Sequence, residues 1–319
     1  MHRCLFCYKP LMEGEKDFHS HCAKKFFGIN EAPVLPYTRK NLNELATIVV
    51  SSHTTVTGIQ AKLSMDIEHD NTGRPQRLTI VGVMGGKYIL KPQTEQFEHL
   101  PEVEDLTMHL ADIAGIATVP HSLIRFKDGE LNYITRRIDR TSDGRKLPME
   151  DICQLSGKLT EQKYQGSHEM ITTIIKKYSS APRLDIVNYW EQVIFSWIVG
   201  NADMHLKNFS LIGDGSGTYS LAPAYDQVST KLVMPEDTDE LALPVNGFQK
   251  KILPMDLAQA MEATGVQGKV IERIMKRFAG LFDKWNKCID ASFITDTQKE
   301  AYKTIIKRHI DSLANYLLV

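Results

Sequence analysis

Along this chain the spacing of hydrophobic positions changes from strand-like to helix-like. Between residues 46 and 90 they form short runs, Ala46–Val50, Lys62–Ile67, Leu78–Val83 and Tyr88–Leu90, broken by the turn formers Asn71-Thr72-Gly73 and Gly85-Gly86. That pattern predicts a small sheet. From Pro101 to Ala114, Val103, Leu106, Leu110 and Ile113 keep helical spacing, with Glu102, Glu104 and Asp105 in the first turn where a helix dipole favours acids. Ser122–Phe126 and Leu131–Thr135 flank Lys127-Asp128-Gly129 and read as a hairpin. The stretch from Asp139 to Gly166 is polar and glycine-punctuated, and helical spacing dominates beyond it. Trp190, Val193, Ile194, Trp197 and Ile198 define one broad buried face, stopped by Gly200. Near the end, Thr297 and Glu300 suggest a capping box ahead of Tyr302, Ile305, Ile306, Ile310 and Leu313. The expected class is therefore α+β, with a small mixed-sheet lobe, a boundary near 136–146 and a mostly helical lobe. Residues 1–30, 31–138 and 139–319 are the expected divisions: a Cys/His appendage, an N-lobe and a C-lobe.

Composition narrows the function classes. The chain has 319 residues, 42% hydrophobic and 24% charged, enough for two cores. Its 38 Lys plus Arg balance 39 Asp plus Glu, so bulk charge points to neither nucleic acid nor an anionic membrane as partner. No secretory pattern follows His2-Arg3, and the longest uncharged apolar stretch, Val193 to Ala202, is far below the ~20 residues a membrane span needs. A cytoplasmic protein is expected.

Three of the five cysteines crowd the N-terminus. Cys4 and Cys7 form a C-x₂-C pair, and His19, His21 and Cys22 follow after a hairpin-sized gap. A tetrahedral Zn²⁺ takes four N/S ligands, which Cys4, Cys7, Cys22 and one histidine would supply. His19 is the better choice over His21, because His19-x₂-Cys22 repeats the two-residue spacing. One structural Zn²⁺ per chain is expected, stapling a segment too short to hold itself. Cys153 and Cys288 read as core or inert.

The chemistry centres on Gly200-Asn201-Ala202-Asp203-Met204-His205-Leu206-Lys207-Asn208. Asp203 and Asn208 have the spacing of a protein-kinase catalytic loop, in which the Asp accepts a hydroxyl proton and the Asn ligates Mg²⁺. Alone, either residue would more often be a turn cap. Order strengthens the reading: two short strand-like runs around Gly213-Asp214-Gly215-Ser216-Gly217 deliver Asp226, placed to be the second Mg²⁺ ligand. Lys207 stands beside the base and can stabilise a transferring phosphoryl group. Upstream, Lys91 ends the run Tyr88-Ile89-Leu90-Lys91, and Glu104 is placed to hold its ammonium, with Glu102 as competitor. Before them, Thr54-Thr55-Val56-Thr57-Gly58-Ile59-Gln60-Ala61-Lys62 occupies the position of a phosphate loop, with Thr57, Gly58, Gln60 and Lys62 as its candidate contacts.

Taken together, Thr57-Gly58-Ile59-Gln60-Ala61-Lys62-Leu63-Ser64, Ile89-Leu90-Lys91-Pro92, Pro101-Glu102-Val103-Glu104, Leu147-Pro148-Met149-Glu150-Asp151, the Gly200–Asn208 loop and Tyr225-Asp226 resemble the HipA-like serine/threonine kinases, toxins of bacterial toxin–antitoxin systems. The resemblance implies a two-lobed protein-kinase-like fold, ATP with Mg²⁺, and phosphorylation of a protein Ser or Thr, possible substrates being aminoacyl-tRNA synthetases. It implies as partners a DNA-binding antitoxin and a small separate protein similar to the family's extra N-terminal subdomain. That subdomain does not fit before Thr57, so the chain resembles the short, HipT-like branch. By the same resemblance, Thr55 and Thr57 are candidates for self-phosphorylation, where a phosphate of about −1.5 to −2 charges would compete with those of ATP. Two alternatives stay open: a small-molecule phosphotransferase on the same scaffold, and a catalytically silent nucleotide-binding partner module.

Overall fold

The computed structural model describes residues 2–41, 62–70, 75–81, 85–141 and 143–318. Contacts divide the chain into two units, the first comprising Met1–Asp105, Val119–Arg140 and Ala291–Phe293, the second Leu106–Thr118, Thr141–Asp290 and Ile294–Val319.

The first unit is built on five antiparallel strands: β1 (Leu63–His69), β2 (Pro75–Ile80), β3 (Tyr88–Lys91), β4 (His121–Arg125) and β5 (Leu131–Arg136), in the order β2-β1-β3-β5-β4. In β3, Tyr88, Leu90 and Lys91 are buried. Its register with β5 sets Lys91 opposite Tyr133, so the lysine leaves the sheet at a fixed place. Helix α1 (Ser20–Phe27) ends on Gly28 in the left-handed conformation, and its Phe26 and Phe27 meet edge-on at 4.7 Å. Both pack with Tyr88, Leu90, Leu123 and Ile134 in one core that also takes in Cys4, Leu5 and Cys22. Residues 1–30 therefore share the core of the sheet instead of hanging beside it as an appendage. Leu5 joins the sheet directly, its carbonyl accepting from the Leu123 amide at 3.3 Å.

Helix α2 (Leu100–Ala114) begins in the first unit and carries Glu102, Glu104 and Asp105 on its first turns. All three are buried. The expected strand Ala46–Val50 and the segment Thr54–Ala61 lie outside the described residues.

In the second unit, α3 (His168–Tyr178) packs on α4 (Pro182–Val199). Helix α4 starts with proline at its first position, buries Tyr189, Trp190, Val193, Ile194, Phe195, Trp197 and Ile198, and stops at Gly200 with φ 69°. A small sheet follows the order β6 (Met149–Asp151), β7 (Ser210–Gly213), β8 (Tyr219–Leu221). Helices α5 (Pro254–Ala263), α6 (Gly268–Ala279), α7 (Phe282–Ala291) and α8 (Asp296–Tyr316) complete the unit. The last helix begins two residues before the expected capping box. Thr295 caps it with Gln298, the Thr295 side chain accepting from the Gln298 amide at 3.2 Å. Thr-x-x-Gln satisfies the same reciprocal geometry as Thr-x-x-Glu, and the upstream pair claims the first free amides. No helix among the described residues is long and apolar enough to cross a membrane.

Candidate functional site

In the first unit, Lys91 Nζ donates to Glu104 Oε1, strand to helix, and both side chains are nearly fully buried. The ammonium also lies over the Tyr133 ring, 5.3 Å from its centroid. Glu102 instead faces His99 Nδ1 at 3.3 Å, and burial pushes its carboxyl above the usual range. Glu104 is thus the acid brought to Lys91. Of the candidate phosphate loop, Thr55, Thr57, Gly58 and Gln60 lie outside the described residues, while Lys62 is described and exposed.

The loop after α4 in the second unit is held by hydrogen bonds within itself and to the segments around Gln227 and Thr230. Gly200 turns the chain, and Asn201, fully buried, accepts the Asp203 amide on Oδ1 at 3.1 Å while donating Nδ2 to Gln227 Oε1 at 3.1 Å. The Ala202 amide donates to Thr230 Oγ1 at 2.8 Å. Asn208 Nδ2 reaches back to the Asp203 carbonyl at 2.8 Å. With its nitrogen donating there, the Asn208 amide oxygen is the atom a hard cation would take. Asp203 keeps a side chain 45% exposed. A carboxylate fixed by its backbone and open on one side can accept a proton from a docked hydroxyl.

Asp226 arrives after the β7–β8 hairpin with φ 55°, a left-handed conformation that costs a non-glycine residue and marks a position the surroundings enforce. The preceding Tyr225 anchors it, accepting from Ser210 Oγ at 2.5 Å and donating to the Lys207 carbonyl at 3.0 Å. His205 Nε2 stands 4.0 Å from Asp203 Oδ1. Burial lowers its pKa, against the pull of the Asp203 and Asp226 charges.

Two contacts here were not foreseen from sequence. Tyr164 donates its hydroxyl to Asp203 Oδ1 at 2.7 Å and meets the His205 ring edge-on at 5.1 Å. Asp151 Oδ2 accepts from Lys207 Nζ at 2.9 Å, so Lys207 is directed by an acid at the end of β6. Leu147–Asp151 carried the motif signal, but nothing local announced that pairing.

The N-terminal cluster also converges. The ligand atoms of Cys4, Cys7, His19 and Cys22 all lie within 4.8 Å of one another. His19 Nδ1 is 3.4 Å from Cys7 Sγ and 3.6 Å from Cys22 Sγ. With Zn–S near 2.3 Å and Zn–N near 2.0–2.1 Å, a tetrahedron has S···N edges of about 3.5 Å. His19 Nε2 is 3.0 Å from the Pro10 carbonyl; donating there sets the tautomer that leaves Nδ1 as the ligand atom. His21 Nε2 lies 3.4 Å from Cys22 Sγ, outside the converging set. Burial pushes the Cys7 and Cys22 thiols up, so a cation is what would hold them as thiolates.

A lysine–glutamate pair joining strand to helix, a loop presenting an acid and an amide five residues apart, and a strained aspartate after a hairpin are the parts of a two-lobed protein-kinase-like fold. Residues 54–285 match the HipA-like C-terminal domain, and the chain belongs to that family. Among relatives, a candidate kinase of Sinorhizobium fredii, Y4dM, is 32% identical over 58% of this chain and 47% of its own. The chain spans about half the length of the Sinorhizobium relatives it matches. Among solved structures, HipA of Shewanella oneidensis, in complex with HipB and operator DNA, superposes with TM-score 0.69 at 18% identity, over 91% of this chain and 75% of that one. The Helicobacter pylori proinflammatory kinase CtkA gives 0.54 at 16% identity, over 75% and 93%.

Proposed function

We propose that this chain is an ATP- and Mg²⁺-dependent protein serine/threonine kinase that acts as the toxin of a toxin–antitoxin pair. The carrying observation is the buried Lys91–Glu104 pair in a chain that also holds Asp203 and Asn208 on one self-bonded loop. Lys91, kept in place by Glu104, neutralises the α/β-phosphates, and Asp203 orients and accepts the proton of the acceptor hydroxyl. Asn208 and Asp226 would hold Mg²⁺, which supplies charge neutralisation on the phosphates. Lys207, directed by Asp151, is available to the transferring phosphoryl group. Thr57, Gly58, Gln60 and Lys62 form the phosphate loop of this reading, and Thr55 and Thr57 are its sites of self-phosphorylation. Family membership and the HipA–HipB–DNA neighbour support a DNA-binding antitoxin as partner. The substrate of this reading is a cytoplasmic protein, an aminoacyl-tRNA synthetase being the first to test. Cys4, Cys7, His19 and Cys22 hold one structural Zn²⁺ in this reading.

Phosphoproteomics of cells expressing the wild type against Asp203→Asn tests activity, substrate and self-modification together. New phosphoserine or phosphothreonine confined to the wild type supports the reading. Equal phosphoproteomes, with phosphate transfer only to a small hydroxyl acceptor in lysate, would replace it with a small-molecule phosphotransferase. Equal phosphoproteomes with nucleotide binding but no transfer would make the chain a silent binding module.

A further inference from the structure

Tyr8 follows Cys7 and stands between the two halves of the cysteine–histidine cluster, where the backbone holds it on both sides. Its amide donates to the Cys4 carbonyl at 2.9 Å, and its own carbonyl accepts from Arg3 Nη1 at 2.9 Å. With φ 61° it occupies the left-handed region. The ring is 4% exposed and lies edge-on to Phe293 at 5.2 Å. At its far end the hydroxyl donates to Asp105 Oδ2 at 2.8 Å.

Asp105 is fully buried, and its other oxygen is 2.7 Å from His121 Nδ1 on β4. It is also the neighbour in sequence of Glu104, the acid that holds Lys91. A phenol is a rigid strut: once the cysteine–histidine cluster is fixed, the hydroxyl sets where Asp105 sits, and with it the first turns of α2. The sheet side is tied to the same segment, since the Leu5 carbonyl accepts from the Leu123 amide and from Ser122 Oγ, each at 3.3 Å. Among the described residues before α1 there is no helix or extended strand: the segment is shaped by the isolated bridge from Arg3 to Pro10 and by turn hydrogen bonds such as the Cys4 amide to the Lys9 carbonyl at 2.9 Å and the Leu5 amide to the Asp17 carbonyl at 2.8 Å. Four converging ligands would add a crosslink to these turns.

We propose that Tyr8 is a positioning residue for the Lys91–Glu104 pair, and that the Cys4–Cys7–His19–Cys22 centre, loaded with a zinc-class ion, keeps Tyr8 in place. The inference rests on the metal and kinase readings above. Loss of the ion then loosens the first turns of α2 and uncouples Glu104 from Lys91, making metal occupancy a control on nucleotide binding.

The test uses the full chain purified without a histidine tag. Elemental analysis should find about one zinc per chain. Tyr8→Phe keeps the backbone and the ligands, so it should retain the zinc. In hydrogen-exchange mass spectrometry its peptides covering Leu100–Leu110 should exchange roughly three-fold faster or more, with α4 unchanged. Wild type stripped by a chelator should show the same rise. Mg-ATP affinity should fall about five- to ten-fold in Tyr8→Phe, and not at all further when Lys91→Ala is already present. Unchanged exchange at Leu100–Leu110 with zinc in place overturns the strut. Absence of zinc from purified protein overturns the metal's part in it. Faster exchange in a protein that binds no nucleotide upholds the strut and overturns the kinase reading instead.

Discussion

The Tyr164 hydroxyl donates a 2.7 Å hydrogen bond to Asp203 Oδ1. Burial and the neighbouring carboxylate charge push the phenol pKa well up, so Tyr164 stays a donor throughout the working pH range. The backbone reinforces it, the Leu206 amide donating to the Lys163 carbonyl at 3.1 Å and tying the tyrosine's segment to the loop that carries Asp203. With one carboxylate oxygen engaged, the proposed mechanism leaves the second for an acceptor hydroxyl. Tyr164→Phe should lower kcat about ten-fold through a misaligned carboxylate, with KM for ATP unchanged. Asp203→Asn should cost ~10²–10⁴-fold, the usual worth of a general base. Steady-state phosphotransfer on both variants checks the order, and equal kcat in Tyr164→Phe and wild type would remove the orienting role.

Lys91 and Glu104 make a second prediction, about stability. Both are buried, so removing one partner leaves a charge without its counterion in a low-dielectric site. Lys91→Met or Glu104→Gln alone should destabilise the fold, Lys91→Met by about 3–5 kcal/mol and Glu104→Gln by less, because the amide still accepts. The double variant Lys91→Met/Glu104→Leu should recover part of the loss while remaining inactive. Urea unfolding of the three variants measures this, and a double variant no more stable than Lys91→Met alone would contradict it.

Gly200 sits where a helix must stop and the loop that carries Asp203 and Asn208 must begin. Its φ is 69°, and an added Cβ would meet Lys231 Cβ at 2.8 Å and Ile305 Cγ2 at 3.2 Å. Gly200→Ala carries both the left-handed penalty of ~1–2 kcal/mol and this overlap. Its cost should therefore exceed that of alanine at an exposed left-handed glycine such as Gly215, which has nothing within 4 Å. Because the Lys231 amide donates to the Gly200 carbonyl at 2.9 Å, the strain is passed to the segment that clamps Ala202. Thermal melts should rank Gly200→Ala below Gly215→Ala, and kcat should fall only in the first.

What could be read in advance follows from distance along the chain. The Asp203-to-Asn208 spacing is local, and so is the run of apolar residues on α4 that ends at Gly200. Lys91 and Glu104 are 13 residues apart, close enough for a strand and a helix to be placed side by side by pattern. Tyr164 and Asp203 are 39 apart and Lys207 and Asp151 56 apart. Neither pair has a periodic signal, because a polar, glycine-punctuated stretch can point its side chains anywhere until tertiary packing decides. The strut from Tyr8 to Asp105 spans 97 positions. The cysteine spacing revealed the cluster, yet nothing in it revealed that the segment would share the core of the sheet. The start of α8 slipped by two residues because two overlapping Thr-x-x-acid/amide patterns compete there, and only the packed helix selects between them.

Stability should also fall in mild acid, and His168 says over what range. It is fully buried at the start of α3, its Nδ1 lies 2.6 Å from the Tyr189 hydroxyl, and its Nε2 has no hydrogen-bond partner. Burial pushes its pKa down to about 3, against about 6.5 in an unfolded chain. Below 6.5 the unfolded chain takes up a proton that the folded chain refuses, so protonation pulls the equilibrium toward unfolding. Its contribution is therefore intact above pH 6.5, declines as pH falls below that value, and is fully lost near 3. Within that window the slope is about 1.4 kcal/mol per pH unit at most. His205, also lowered by burial, acts in the same direction. His168→Gln should be less stable than wild type at pH 7, since the Tyr189 contact is disturbed, yet lose less on going to pH 5. Urea midpoints at pH 7, 6 and 5 decide it: parallel declines in the two proteins would show that the buried imidazole is not what acid attacks.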